Sequence, residues 1–172
     1  VNGPNTHGQA PRAFHQYSAR SFAHFQHSGT GMVGTYYNYF HVTPLVGKLQ
    51  QLGTRWPLAR EQARPGYYAA TLKGTGIDAQ LTVAAKAAFH RYWFPAVTNA
   101  AIAIDFSAGG LTFEGMQEQP ADASIFITGD HTVHGHARFR GIPVFVHIEP
   151  DFTPTDCRLW QNAEECPSHQ RQ

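Results

Sequence analysis

Apolar and polar residues alternate along most of this chain, and nowhere do apolar positions recur for long at the three-to-four spacing of a helix. The clearest stretch runs from Ile77 to Val83, where Ile77, Ala79, Leu81 and Val83 share one face. A period of two is what a half-buried strand requires, because successive side chains point to opposite sides of a sheet. The same reasoning predicts strands over Phe89 to Phe94, Ala100 to Ile104, Ser124 to Thr128, His131 to Phe139 and Val144 to Glu149. Tyr36 to Val42 is aromatic and β-branched, and Tyr67 to Leu72 is extended and joined to the Ile77 strand through Gly74-Thr75-Gly76, a hairpin turn. The rival helical stretch is the Ala-rich run Val83 to Ala88, which is too short to be stable alone and is read as strand or bulge. Many short strands, separated by Gly and Pro, predict an all-β fold, an antiparallel β-sandwich rather than an α/β sheet.

With 172 residues the chain is long enough for one well-buried core. Its first stretch, Val1 to Pro11, is rich in Gly, Pro, Asn and Gln and buries too little apolar surface to hold a shape by itself. Residues 1–20 are therefore expected to be an arm, residues 21–150 the sandwich, and residues 151–172 a polar carboxy-terminal segment or linker in which alternation fades. No internal repeat is present.

Charge changes the picture by exclusion. Lys plus Arg total 13 against 12 Asp plus Glu, so no broad basic field exists to hold a nucleic acid. The longest apolar run, Ala100 to Ile104, falls far short of the roughly 20 residues that span a bilayer. No charged-then-apolar leader opens the sequence, so the signal peptide of an exported parent would lie outside it. Cys157 and Cys166 are close enough to close a small disulfide loop in an oxidising compartment, or to remain two free thiols; no Cys-x-x-Cys pair supports a zinc site.

Gly29-Thr30-Gly31-Met32-Val33-Gly34 has the Gly-x-Gly-x-x-Gly spacing of a dinucleotide loop, but that loop needs a helix to follow, and an aromatic run, Tyr36 to Phe40, follows instead. These glycines are better read as tight turns where backbone passes close to something else. Among the histidines, His134 and His136 share a strand face and form the best metal candidates, with a third ligand needed from elsewhere; His131 points to the other face unless a bulge intervenes. The alternative is a solvent-exposed strand of neutral histidines. No metal is assigned to this chain. Asp105, Glu114, Asp130 and Glu149 offer carboxylates, yet no spacing singles out a pair.

Three blocks, Ser28-Gly29-Thr30-Gly31, Pro65-Gly66-Tyr67-Tyr68 and His90-Arg91-Tyr92-Trp93-Phe94-Pro95, carry a resemblance. From Phe22 to about Trp160 the chain resembles the amino-terminal β-sandwich of glycoside hydrolase family 92, the calcium-dependent α-mannosidases. Ser21 to Gly31 is similar to that family's Gly-Phe-Ser-His-x-His-Leu-Ser-Gly-Thr-Gly, with His24 kept, Gln26 in place of the second His, His27 in place of Leu and Ala23 in place of Ser. Tyr37-Asn38 through Pro44 and Gly47 resembles Tyr-Gly followed by Met-Pro-x-x-Gly. Glu61, Ala63 and Pro65 to Tyr68 resemble Glu-x-Ala-x-Pro-Gly-Tyr-Tyr, although Leu58 and Ala59 replace a His-Glu pair; Gln80-Leu81-Thr82 and Ile104 to Ser107 also follow the pattern. The blocks after the first are read as mostly architectural, with His90 and Tyr92 on one strand face and Arg91 and Trp93 on the other.

The resemblance implies a galactose-mutarotase-like supersandwich that begins after the family domain's opening strands and works beside a helical (α/α)-barrel catalytic domain in cis. It implies that His24, Gln26 and Ser28, Gly29, Thr30 and Gly31 face a mannose-containing glycan or that domain; otherwise His24 serves only the local loop. An inverting glycosidase needs an acid and a base roughly 6.5 to 9.5 Å apart. In this family both lie in the barrel, as does most of the calcium site, so this chain alone is expected to hold neither and to turn over nothing. The whole protein is expected to be an exo-acting α-mannosidase, secreted or periplasmic, with an exposed apolar or aromatic patch here for the barrel. The alternatives are a stand-alone carbohydrate-binding sandwich that stacks sugars on Trp56, Trp93, Trp160 or the tyrosines at 36 to 39, and a structural or assembly protein that has lost the sugar site.

Overall fold

The computed structural model describes residues 18–23, 40–48, 52–97, 99–106, 112–113, 116–117, 121–129, 131–139, 141–161 and 164–166. These contain strands and no helix, so none of them forms a helix able to cross a membrane. Among the described residues every strand pairing is antiparallel. The chain is thus all-β, in agreement with the sandwich expected from its alternation, and it divides into two compact units, Val1–Gln119 and Pro120–Gln172.

The first unit holds β1 (Ser18–Ala19), β2 (His41–Val46), β3 (Trp56–Arg64), β4 (Tyr67–Leu72), β5 (Ile77–Val83), β6 (Ala88–Trp93), β7 (Ala100–Asp105), β8 (Thr112–Phe113) and β9 (Met116–Gln117). A five-stranded sheet runs β1-β3-β4-β5-β6, while β2 pairs with β7 and β8 with β9. Alternation decides the faces: Tyr68, Ala70 and Leu72 of β4 and Ile77, Ala79 and Leu81 of β5 point inward and are buried. Leu58, Ala19 and Phe22 complete this core, and Val46 of β2 packs against it with Trp56, Tyr92 and Phe94. Val46 thereby brings the end of β2 against the core of the larger sheet.

Turn chemistry sets the register. Pro65 fixes φ at about −65° and Gly66 takes φ +75°, so the chain reverses in two residues between β3 and β4. Gly74 and Gly76, at φ +86° and +74°, turn β4 into β5 as expected. Val83 to Ala88 differs from the strand or bulge expected of it: β5 stops at Val83, β6 starts at Ala88, and the Ala84 N–H donates to Ala87 O across 2.8 Å. Its lack of Gly or Pro hides that turn in the sequence. A bulge between Ala59 and Gln62 places Arg60 at φ +51°, where its guanidinium reaches Asp78 at 2.7 Å and Thr71 at 2.8 Å.

The second unit holds β10 (Ala121–Ile127), β11 (Val133–Phe139), β12 (Ile142–Ile148), β13 (Leu159–Gln161) and β14 (Glu164–Cys166). A three-stranded sheet runs β10-β11-β12, and β13 and β14 form a separate small hairpin within the polar carboxy-terminal stretch. Gly135, Ala137 and Phe139 face one side and are buried; His134, His136 and Arg138 take the other.

Gly66 has open space around the position of a Cβ, so Gly66→Ala tests backbone conformation alone. The substitution is expected to cost about 1 kcal/mol in urea unfolding, the ordinary penalty of a left-handed backbone for an L-residue. An unchanged midpoint would show that the Pro65-Gly66 turn does not hold the β3–β4 register.

Candidate functional site

The segment carrying His24, Gln26, Ser28, Gly29, Thr30 and Gly31 lies outside the described residues, as do the tyrosines at 36 to 39 and two of the four named carboxylates, Glu114 and Asp130. Both ends of that segment are described, and they meet. Phe22 and Val42 form an isolated antiparallel bridge in which each N–H donates to the other's carbonyl at 2.8 Å. The Phe22 ring lies in the core, 6.4 Å from Tyr68 and 6.1 Å from Tyr92 between ring centres. Beside the bridge, Ser21 Oγ is 2.6 Å from His41 Nδ1, and His41 stands opposite Asp105 in the β2–β7 ladder. Phe40 and Phe106 close the same end with ring centres 4.4 Å apart. The chain therefore leaves at Ala23 and returns at Phe40 on a clamped base.

On its outward face the five-stranded sheet presents aromatic rings and guanidinium groups. Phe89, Arg91 and Trp93 occupy successive outward positions of β6, the last strand of the sheet; Phe89 is 49% exposed and Trp93 45%. The Arg91 guanidinium lies 5.6 Å from the Phe89 ring centre and 5.5 Å from that of Trp93, within the range of cation–π attraction. Arg64 stacks over Tyr67 at 4.5 Å on the same face, above an open depression lined by Glu61, Gln62, Ala63, Arg64 and Tyr67. On the other face of β6, His90 Nδ1 is 2.6 Å from the Tyr92 hydroxyl. Burial holds the Tyr92 phenol protonated far above its ordinary range. Tyr68 is raised likewise, first by burial and then by the hydrogen bond it donates to Glu61 at 2.7 Å.

In the second unit register creates a cluster that the sequence does not announce. His134 faces His147 across the β11–β12 ladder with their Nδ1 atoms 3.1 Å apart, and His147 Nε2 is 2.7 Å from Glu149 Oε1. His136 pairs instead with Phe145, ring centres 6.1 Å apart. His131 sits before β11 at φ +66°, with Nδ1 3.5 Å from the Cys157 sulfur. Cys157 and Cys166 are both free thiols. Among the described residues no three or more His, Cys, Asp or Glu side chains gather as a metal cage would need.

A sequence profile described as the glycosyl hydrolase family 92 N-terminal domain matches residues 2–172. The chain belongs to this family. The match covers residues before Phe22 and after Trp160 as well as the blocks between them, and an amino-terminal domain of a family 92 hydrolase implies a catalytic partner domain in cis. No curated protein matches the chain.

Within the family 92 domain, several motif residues do structural work. Glu61 receives the Tyr68 hydroxyl, and Gly66 O accepts from both Thr82 Oγ1 and the Val83 N–H. Leu58 is a core residue. Three of the described carboxylates are already engaged by other side chains. Calcium takes six to eight oxygen ligands, whereas Asp78 is bound to Arg60 and Thr71, Glu61 to Tyr68 and Glu149 to His147.

Burial, and then the charge of Asp156, raise the Cys157 thiol above its ordinary range. Thiolate is the reactive form, so Cys157 in a Cys166→Ser chain is expected to alkylate with iodoacetamide several-fold more slowly at pH 7.5 than an unfolded cysteine peptide, and to approach it only in alkaline buffer. Equal rates at pH 7.5 would show that the folded environment does not suppress ionisation.

Proposed function

We propose that this chain is the amino-terminal domain of an exo-acting α-mannosidase and shapes one wall of the sugar pocket, while a helical catalytic domain in the same polypeptide supplies the acid, the base and the calcium site. The observation that carries this reading is the family match across residues 2–172. Two features support it. Phe22 and Val42 are joined by a bridge, and a fixed pair there suits a segment that must present His24 and Ser28 to Gly31 to a ligand at constant distance. The outward Phe89-Arg91-Trp93 row supplies the exposed aromatic surface that a docking partner domain would cover.

The chemistry then divides between domains. A mannoside in the shared pocket would be held here by the His24 imidazole and by glycine-rich backbone, since glycine lets a main-chain N–H approach a sugar hydroxyl without a Cβ in the way. Gln26 can still exchange hydrogen bonds with hydroxyls where the family has an imidazole, but it cannot carry a proton at neutral pH. This domain thus orients and excludes water while bond cleavage takes place on carboxylates of the partner. An extracellular or periplasmic setting fits such a glycosidase.

A second reading takes its support from the same exposed row: Trp93 and Phe89 are platforms on which a sugar ring could stack, and Trp160 is also 43% exposed. A stand-alone carbohydrate-binding sandwich would use them without any partner.

One pair of assays separates the two. The parent protein is expected to hydrolyse α-linked mannosides in a calcium-dependent manner, with His24→Ala lowering kcat/KM by about tenfold or more, whereas the 172-residue chain alone shows no turnover. Turnover by the chain alone would refute the division of labour. Calorimetric binding of mannosides to the isolated chain, abolished by Trp93→Ala, would favour the second reading.

A further inference from the structure

We propose that His134 and His147 form a two-imidazole site for a late first-row divalent metal ion, with copper(II) bound most tightly, on the outer face of the β11–β12 ladder. The pair is set by register: the two residues are directly opposed on neighbouring antiparallel strands and project to the same side. Their Nδ1 atoms stand 3.1 Å apart, with ring centres at 4.6 Å and planes inclined by 59°. A metal with bonds of about 2.0 to 2.1 Å to two adjacent imidazole nitrogens holds those nitrogens roughly 2.9 to 3.3 Å apart, for bond angles between square and tetrahedral. The observed separation falls inside that interval, so little ring movement is needed to turn a hydrogen-bonded pair into a chelating one.

Glu149 supplies the second, independent observation. Its Oε1 lies 2.7 Å from His147 Nε2, the nitrogen on the far side of the ring from His134. A carboxylate there accepts a hydrogen bond from Nε2–H and fixes the tautomer whose Nδ1 lone pair is free, the arrangement that orients metal-binding histidines. Without metal, that lone pair accepts from His134 Nδ1–H. With metal, the His134 proton resides on Nε2 and both Nδ1 lone pairs point to the ion, so no net proton change is required.

The surroundings favour this chemistry. Phe126 on β10 is the cross-strand neighbour of His134, and Phe145 lies two residues before His147, so the pair is flanked by aromatic residues. Arg138, on the same face of β11, is engaged 3.5 Å from Asp122 and with Gly141 O. The His147 side chain is half exposed, leaving the remaining coordination positions to water. Nitrogen donors without carboxylate ligation select copper, nickel or zinc over calcium and magnesium, and copper leads the affinity order. With two protein ligands the site is an open surface chelate and not a closed structural cage.

The test is titration of the 172-residue chain with copper(II), followed by electron paramagnetic resonance and thermal unfolding. Because the sequence has 11 histidines, the comparison is with variants. The wild-type chain is expected to bind one more copper equivalent than either His134→Gln or His147→Gln, with a nitrogen-coordinated signal, and to gain in Tm where the variants do not. Glu149→Gln is expected to keep the stoichiometry and weaken binding about tenfold, a loss that a purely structural role for Glu149 would not produce. His136→Gln should leave the site intact and serves as the fold control. Identical copper stoichiometry and affinity in wild type, His134→Gln and His147→Gln would overturn the proposal, as would loss of the site in His136→Gln alone.

Discussion

Phe22 is the residue on which the first unit turns. Its backbone exchanges two hydrogen bonds with Val42, so the chain on either side of the glycine-rich block is tied together. Its ring is buried with Tyr68 and Tyr92, so that tie is seated in the core of the five-stranded sheet. A backbone bridge alone would be weak, because an isolated pair of hydrogen bonds in contact with water contributes only about 1 kcal/mol each. Joined to a fully buried phenyl ring, it can open only by exposing apolar surface, which costs about 2 to 3 kcal/mol more for a side chain of this size. The sugar-facing role proposed for the block depends on this coupling between a local pair and the global core.

That coupling also gives the family motifs a physical meaning. Pro65-Gly66 turns the chain, Glu61 receives the buried Tyr68 hydroxyl, and Thr82 and Val83 close onto Gly66 O, so the Glu-x-Ala-x-Pro-Gly-Tyr-Tyr block positions the β4 strand against which Phe22 packs. His90 and Tyr92 serve the inner face of β6, and Arg91 with its two flanking aromatics serves the outer one.

Much of the scaffold was legible in the sequence because it rests on local rules. The alternation of Ile77, Ala79 and Leu81, the Gly74 and Gly76 turn and the two faces of β6 all follow from neighbours along the chain. Features that depend on pairing were not. His147 gave no signal as a partner of His134, since only the β11–β12 register brings the two together, while His136, which seemed the natural companion, is opposed to Phe145. The Ala84 to Ala87 turn lacks turn residues, and the β13–β14 hairpin sits in a stretch too polar to show alternation. Arg60 in its bulge is held by Thr71 and Asp78, contacts made across strands. The block proposed to face the sugar was recognised by its motif, and His24 to Gly31 lie outside the described residues.

Amide hydrogen exchange at Phe22 and Val42 tests the coupling most directly. If the bridge is locked to the core, both amides exchange only through global unfolding, with the same free energy as the Ala79 and Leu81 amides of β5. Exchange at Phe22 and Val42 through local opening, while β5 stays protected, would mean that the base of the glycine-rich block moves independently of the sheet, and the positioning role assigned to it would not stand.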